Sequence, residues 1–155
     1  YAGSAGARIV LGMKHHVARY FFLVLLFSMA VLTNGSSAAQ IVVHPALGQQ
    51  ELTLHVVRLL FTMRLLRWPD GTRVRVFVLS DSDPLHREFA KQSLHLYPRQ
   101  LRRVWDRHLF SGSGAVPALV GSVEEMSKRV GETPGAIGYL PDGFATETVR
   151  VIHVK

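Results

Sequence analysis

Two carboxylates one residue apart, Asp81 and Asp83, stand in the run Ser80-Asp81-Ser82-Asp83-Pro84. A close pair of acids can divide the work of general acid and general base when their surroundings push their pKa values apart. The same run also suits the start of a helix. Asp83 offers a side-chain acceptor for free amides, and Pro84 fits the first helical position, where a missing N–H costs nothing. Cap and turn roles account for both acids better than catalysis does. Ser111-Gly112-Ser113-Gly114 could cradle an anion on its backbone amides, but it lacks the Gly-Lys-Ser/Thr ending and the preceding strand of a P-loop. A flexible turn is its expected role. Ser113 sits in no nucleophile elbow and has no identifiable base. His44, His55, His86, His95, His108 and His153 are scattered, and no pair shows the four-residue spacing with glutamate of a metalloprotease helix. The expectation is a binding protein rather than an enzyme, without metal or cofactor.

The cations point to a class of partner. "RLLFTMRLLR" and "RQLRRVWDR" gather arginines on segments expected to be helical, and Arg102 and Arg103 are the candidates for meeting an acidic partner. The plainer role for such residues is a solvated helix face, with arginine stems covering apolar surface. Residues 13–39 read as an export signal: Met13 opens a short segment with Lys14 and Arg19, Phe21–Leu32 is apolar except for Ser28, and small residues lead to Ala39. That apolar run is shorter than the roughly 20 residues a bilayer core requires. Cleavage near Ala39 would deliver the protein to the periplasm, where nucleic acid is not an expected partner. Residues 1–12 precede the Met and are expected to lie outside the fold. Setting aside Arg8, Lys14 and Arg19 leaves 15 of the 18 Lys+Arg, against 11 Asp+Glu, a mild net charge of +4 for residues 40–155. The chain has no cysteine, so neither disulfides nor thiolate metal sites are open to it.

The elements that must position these residues follow from periodicity. "QIVVH" is a β-branched run closed by Pro45 and predicts a first strand. Leu52, Val56, Leu59, Leu60 and Met63 recur at helical spacing, predicting a helix from about Gln50 to Met63. Pro69 and Asp70-Gly71 stop it, and "VRVFVL" is apolar on both faces, as a central strand is. Asp83-Pro84 opens a helix carrying Leu85, Phe89 and Leu94. Another helix spans Gln100–Phe110, with Leu101, Val104, Trp105 and Leu109 on one side. A further helix is capped by Ser122, with Glu125 three residues on, and should end at Gly131. "AIGYL" and "VRVIHV" are the last strands. In "TPGAIGYLPDG", Gly135 and Gly138 flank a strand that must enter a crowded place. The order β-α-β-α-α-α-β-β describes one α/β (α+β) domain over residues 40–155, three layers with a small mixed sheet flanked by about four helices.

Two stretches carry a family resemblance. "VVRLLFTMRLLRWPDGTRVRVFVLSDSDPLHREF", from Val56, resembles a periplasmic phosphate-binding-protein-like domain. Its helix through Phe61 and its Trp68-Pro69-Asp70-Gly71 turn are similar to that family's "IF-x-G-x-x-x-x-W" segment. "LFSGSGAVPALVGSVEEMSKRVGETPGAIGYL" resembles the end of the same lobe, where a helix leads into a "TPG-x-IGY" strand. Together they cover most of residues 41–140.

The resemblance implies one lobe of a type II periplasmic binding protein. It also implies an oxyanion held at a helix N-terminus by an Arg-x-Asp-x-Ser-Gly-Thr loop. On that basis Ser80, Asp81, Ser82, Asp83, the Ser111–Gly114 loop and a nearby arginine such as Arg87 would hold phosphate. The matching stretch is Leu79-Ser80-Asp81-Ser82-Asp83-Pro84-Leu85, in which only Asp81 matches. Leu79 replaces the arginine, Asp83 the hydroxyl, Pro84 the glycine and Leu85 the threonine. Pro84 removes an amide donor and Asp83 adds a carboxylate where the anion would sit. The 116 residues after Ala39 are also expected to supply one wall of a two-lobed cleft. The expectation is therefore a phosphate-receptor-like domain with a degraded anion loop; the alternative is a periplasmic adaptor that binds protein and no small ligand.

Overall fold

The computed structural model describes residues 39–48, 51–112, 115–145 and 147–155. The expected export signal lies outside the described residues except for Ala39, as do residues 1–12, Ser113 and Gly114. Six strands and four helices occur among the described residues: β1 (Ala39–Val43), β2 (Glu51–Leu52), α1 (Leu54–Phe61), β3 (Arg75–Val78), α2 (Pro84–Gln92), α3 (Pro98–Phe110), β4 (Ala118–Leu119), α4 (Val123–Glu132), β5 (Ala136–Pro141) and β6 (Arg150–Val154). The sheet is mixed, in the order β2-β6-β1-β5-β3-β4. β1 runs antiparallel to both β5 and β6, while β3 lies parallel to β5 and β4.

Strand β5 is buried from Ala136 to Leu140, and successive side chains leave it on opposite faces. A Cβ at Gly138 would lie 2.6 Å from Met126 Sδ and 3.0 Å from Val130 Cγ2, both on α4. The next residue, Tyr139, stacks on Phe89 of α2 with ring centroids 4.1 Å apart, and lies 6.1 Å from Phe61 of α1. Helix α3 joins that second side through Trp105, whose Nε1–H donates to the Phe61 carbonyl at 2.8 Å. Hence α4 covers one face and α1 to α3 the other: the three-layer α/β arrangement expected from the sequence.

Gly135 is required for a different reason. Its φ is +77°, and a Cβ there would meet the Arg73 carbonyl oxygen at 2.2 Å. Its own carbonyl accepts from Trp68 Nε1–H at 2.9 Å, tying the Trp-Pro-Asp-Gly turn to the start of β5.

Several boundaries differ from expectation. The helix predicted over 50–63 begins only at Leu54, where Thr53 Oγ1 accepts from Val56 N–H at 3.3 Å. Leu52 instead belongs to β2, paired with Val154 near the end of the chain. The helix stops at Phe61, and Met63 takes a left-handed φ of 58°. Helix α3 starts at Pro98 because Gln100 Oε1 reaches back to the Tyr97 N–H at 2.8 Å. Leu109, expected on its apolar side, is 52% exposed, and Phe110 beyond it is 85% exposed. In α4, Ser122 caps Glu125 N–H at 3.2 Å as expected, but the Glu125 carboxylate turns to the Gly121 N–H at 2.7 Å. The helix continues through Gly131, where a Cβ would meet the Thr148 carbonyl at 2.7 Å, so this glycine serves packing rather than termination. Strand β4 was not anticipated.

Candidate functional site

The loop Ser80–Asp83 leaves the end of β3 and enters α2, with β5 alongside. Asp83 closes the helix start: its Oδ1 accepts from Leu85 N–H at 2.8 Å and from His86 N–H at 3.3 Å, and Pro84 follows at the first position. The loop folds on itself, with Asp83 N–H donating to the Ser80 carbonyl at 2.9 Å and the Ser80 and Ser82 hydroxyls 3.0 Å apart. Asp81 points toward α3, where Arg102 Nε and Nη2 each donate to it at 2.9 Å, a bidentate pair at the surface. The guanidinium is held even more firmly protonated by that bond.

Below the loop lies a buried polar chain. Leu79 N–H donates to Tyr139 Oη at 2.8 Å, and Tyr139 Oη lies 2.6 Å from His86 Nδ1. A hydroxyl already accepting the amide proton directs its own proton to Nδ1, which assigns the ring hydrogen to Nε2. Among the described residues that nitrogen has no hydrogen-bond partner, and it sits 3.7 Å from Asp81 Oδ1. His86 is fully buried. Desolvation lowers its pKa below the usual histidine range, and the Asp81 charge opposes only part of that effect. Burial likewise pushes the Tyr139 phenol up, so it stays protonated.

Of the residues singled out from sequence, Asp81, Ser82 and Arg87 share one cleft of about 680 Å³ between α2 and α3, together with Lys91, Tyr97, Pro98 and Arg99. Ser80 and Asp83 hold the loop beside it. Ser111 and Gly112 lie past the far end of α3 and do not line the cleft. Arg102 is committed to Asp81, while Arg103 is exposed on α3. A second cleft, about 460 Å³, includes Gln92, His95, His153 and Lys155, but the Lys155 charge is paired with Glu51.

Sequence reasoning missed His86 and Tyr139 as partners. Two signals pointed to them: a tyrosine inside a fully apolar strand needs a partner for its hydroxyl, and His86 shares a helix face with Phe89 and Ala90. Among the described residues no group of three or more His, Cys, Asp or Glu could hold a metal ion, and no helix is long and apolar enough to cross a membrane.

No family model and no curated protein matches the chain. Solved structures do. A putative phosphate ABC transporter substrate-binding protein from Clostridium perfringens, with bound phosphate, superposes with a TM-score of 0.62 at 14% identity, covering 76% of this chain and 44% of its own. An ABC-type phosphate transport receptor from Vibrio cholerae gives a TM-score of 0.60 at 15% identity, covering 76% and 46%. A possible phosphate binding protein from Planctomyces limnophilus gives 0.55 at 9%, covering 76% and 41%. The chain spans less than half the length of these structures. Over that span it has the periplasmic-binding-protein-like fold of phosphate ABC transporter substrate-binding proteins.

Proposed function

We propose that this chain is an exported, periplasmic domain of phosphate-receptor type that has given up oxyanion capture at the start of α2 and serves as a protein-interaction module. The observation that carries this reading is the Asp83 carboxylate on the Leu85 and His86 amides. A helix N-terminus attracts phosphate through free amides and the positive end of its dipole. Here the chain's own anion occupies those amides, and Pro84 supplies no donor. An incoming phosphate would have to displace a covalently tethered competitor and face its charge.

The fold neighbours support a binding role over a catalytic one, since they include a putative substrate-binding protein and a transport receptor. The test is thermal denaturation of the full chain with inorganic phosphate. A ligand at one hundred times its Kd stabilises the native state by about 2.7 kcal/mol, so receptor-like affinity would raise the melting temperature by many degrees at millimolar phosphate. The expected result is no shift. A shift that grows with phosphate and not with chloride at matched ionic strength would defeat the proposal.

A further inference from the structure

Among the described residues the one carboxylate lining the cleft between α2 and α3, Asp81, is already neutralised by Arg102. What remains is Arg87, Lys91 and Arg99, and among the described residues none of the three has a carboxylate within ion-pairing distance. Arg87 and Lys91 are one turn apart, so their stems rise from the same face of α2. Arg99 stands in the first turn of α3, which packs against α2. Tyr97 and Pro98 give the cleft an aromatic and apolar surface; Tyr97 is 64% exposed, with Lys91 Nζ 6.0 Å from its ring centre.

We infer that this cleft binds an acidic peptide segment of a partner protein. Arg87, Lys91 and Arg99 take its Asp or Glu carboxylates, and a neighbouring apolar side chain rests on Tyr97 and Pro98. This rests on the protein-interaction reading above and supplies its surface and the chemistry of its partner. A compact oxyanion is held by convergent short donors, above all the amides of a helix start, and Asp83 occupies those. The remaining cations stand on two elements, at the ends of long arms, around a volume far larger than one oxyanion. That distribution suits carboxylates spread along an extended chain.

The test is fluorescence anisotropy of the full chain with a fluorescein-labelled peptide of six glutamates and one tyrosine. The same peptide with glutamine for glutamate, and a single-stranded oligonucleotide of equal charge, serve as comparators. The glutamate peptide should bind saturably and the glutamine peptide should not. Arg87→Glu/Lys91→Glu, and its neutral counterpart Arg87→Gln/Lys91→Gln, should weaken binding by about tenfold or more. Arg64→Glu/Lys128→Glu, the same charge change at exposed positions outside the cleft, should alter it by less than about twofold. Equal losses from the two charge-reversed pairs, absence of peptide binding, or tighter binding of the oligonucleotide would each overturn the inference. Inorganic phosphate in the same assay separates the two claims. Phosphate that displaces the peptide and raises the melting temperature refutes the protein-interaction reading itself. Inert phosphate together with an unbound peptide refutes only the assignment of the cleft.

Discussion

Removing one oxygen tests the buried chain beneath the candidate site. In Tyr139→Phe the ring stays, keeping its stack on Phe89 at 4.1 Å and its contact with Phe61, so no large cavity opens. What disappears is the acceptor for Leu79 N–H and the donor to His86 Nδ1. Leu79 and His86 are both buried, so neither group can turn to bulk water. Leaving a buried polar group unpaired costs about 1–3 kcal/mol, and two such groups within one network give roughly 2–4 kcal/mol. For a domain of this size that corresponds to a fall in melting temperature of about 8–15 °C. Urea denaturation of the wild type and of Tyr139→Phe measures the free energy directly. The double mutant with His86→Ala should show non-additivity of about 1 kcal/mol, because the two residues share one bond. A loss below about 1 kcal/mol, or strict additivity in the cycle, would show that the hydroxyl is not the buried link described here.

Two further perturbations probe the same frame. Burial holds the folded-state pKa of His86 below its unfolded value, so the unfolded chain takes up a proton first on acidification. The stability from keeping His86 neutral is therefore complete above the unfolded pKa of about 6.5, and it is lost as pH falls from there through the folded pKa. Urea midpoints between about pH 8 and pH 5 should fall in the wild type and fall less in His86→Gln; a midpoint that rises on acidification would contradict the assignment. Gly135→Ala should cost about 2–3 kcal/mol or more, given its positive φ and the 2.2 Å approach to Arg73 O. Gly71→Ala shares the positive φ but meets nothing within 4 Å, and it should cost about 1 kcal/mol; equal losses at the two sites would refute the steric argument.

What could be read before the structure divides by sequence separation. Helices α2 and α4 start where expected because their caps are local: Asp83 bonds residues two and three ahead, and Ser122 bonds three ahead. Strands β2 and β4 have two residues each and no periodicity of their own. β2 exists because Glu51 and Leu52 meet His153 and Val154 about a hundred residues away, whereas the local spacing of Leu52 matches the helix that follows. The site divides in the same way. Asp83 was legible as a cap, whereas the Asp81 to Arg102 pair closes over 21 residues and the His86 to Tyr139 bond over 53. Tertiary pairing decides those contacts, and local pattern carries no trace of the partner.

The segment "TPGAIGYL" and the Ser80–Asp83 loop are held together by the same strand. Gly135 lets the Arg73 carbonyl approach, Gly138 admits α4, and Tyr139 fixes the Leu79 amide at the root of the Ser80–Asp83 loop. Each of these requirements comes from packing, and none calls for a ligand. The strand therefore secures the fold whatever chemistry the Ser80–Asp83 loop carries. The surface chemistry beside that strand comes from Asp81, Asp83 and the cations of α2 and α3. Asp83 occupies the α2 amides, and among the described residues Arg87, Lys91 and Arg99 have no carboxylate partner, the arrangement on which the proposed preference for an acidic surface over free phosphate rests.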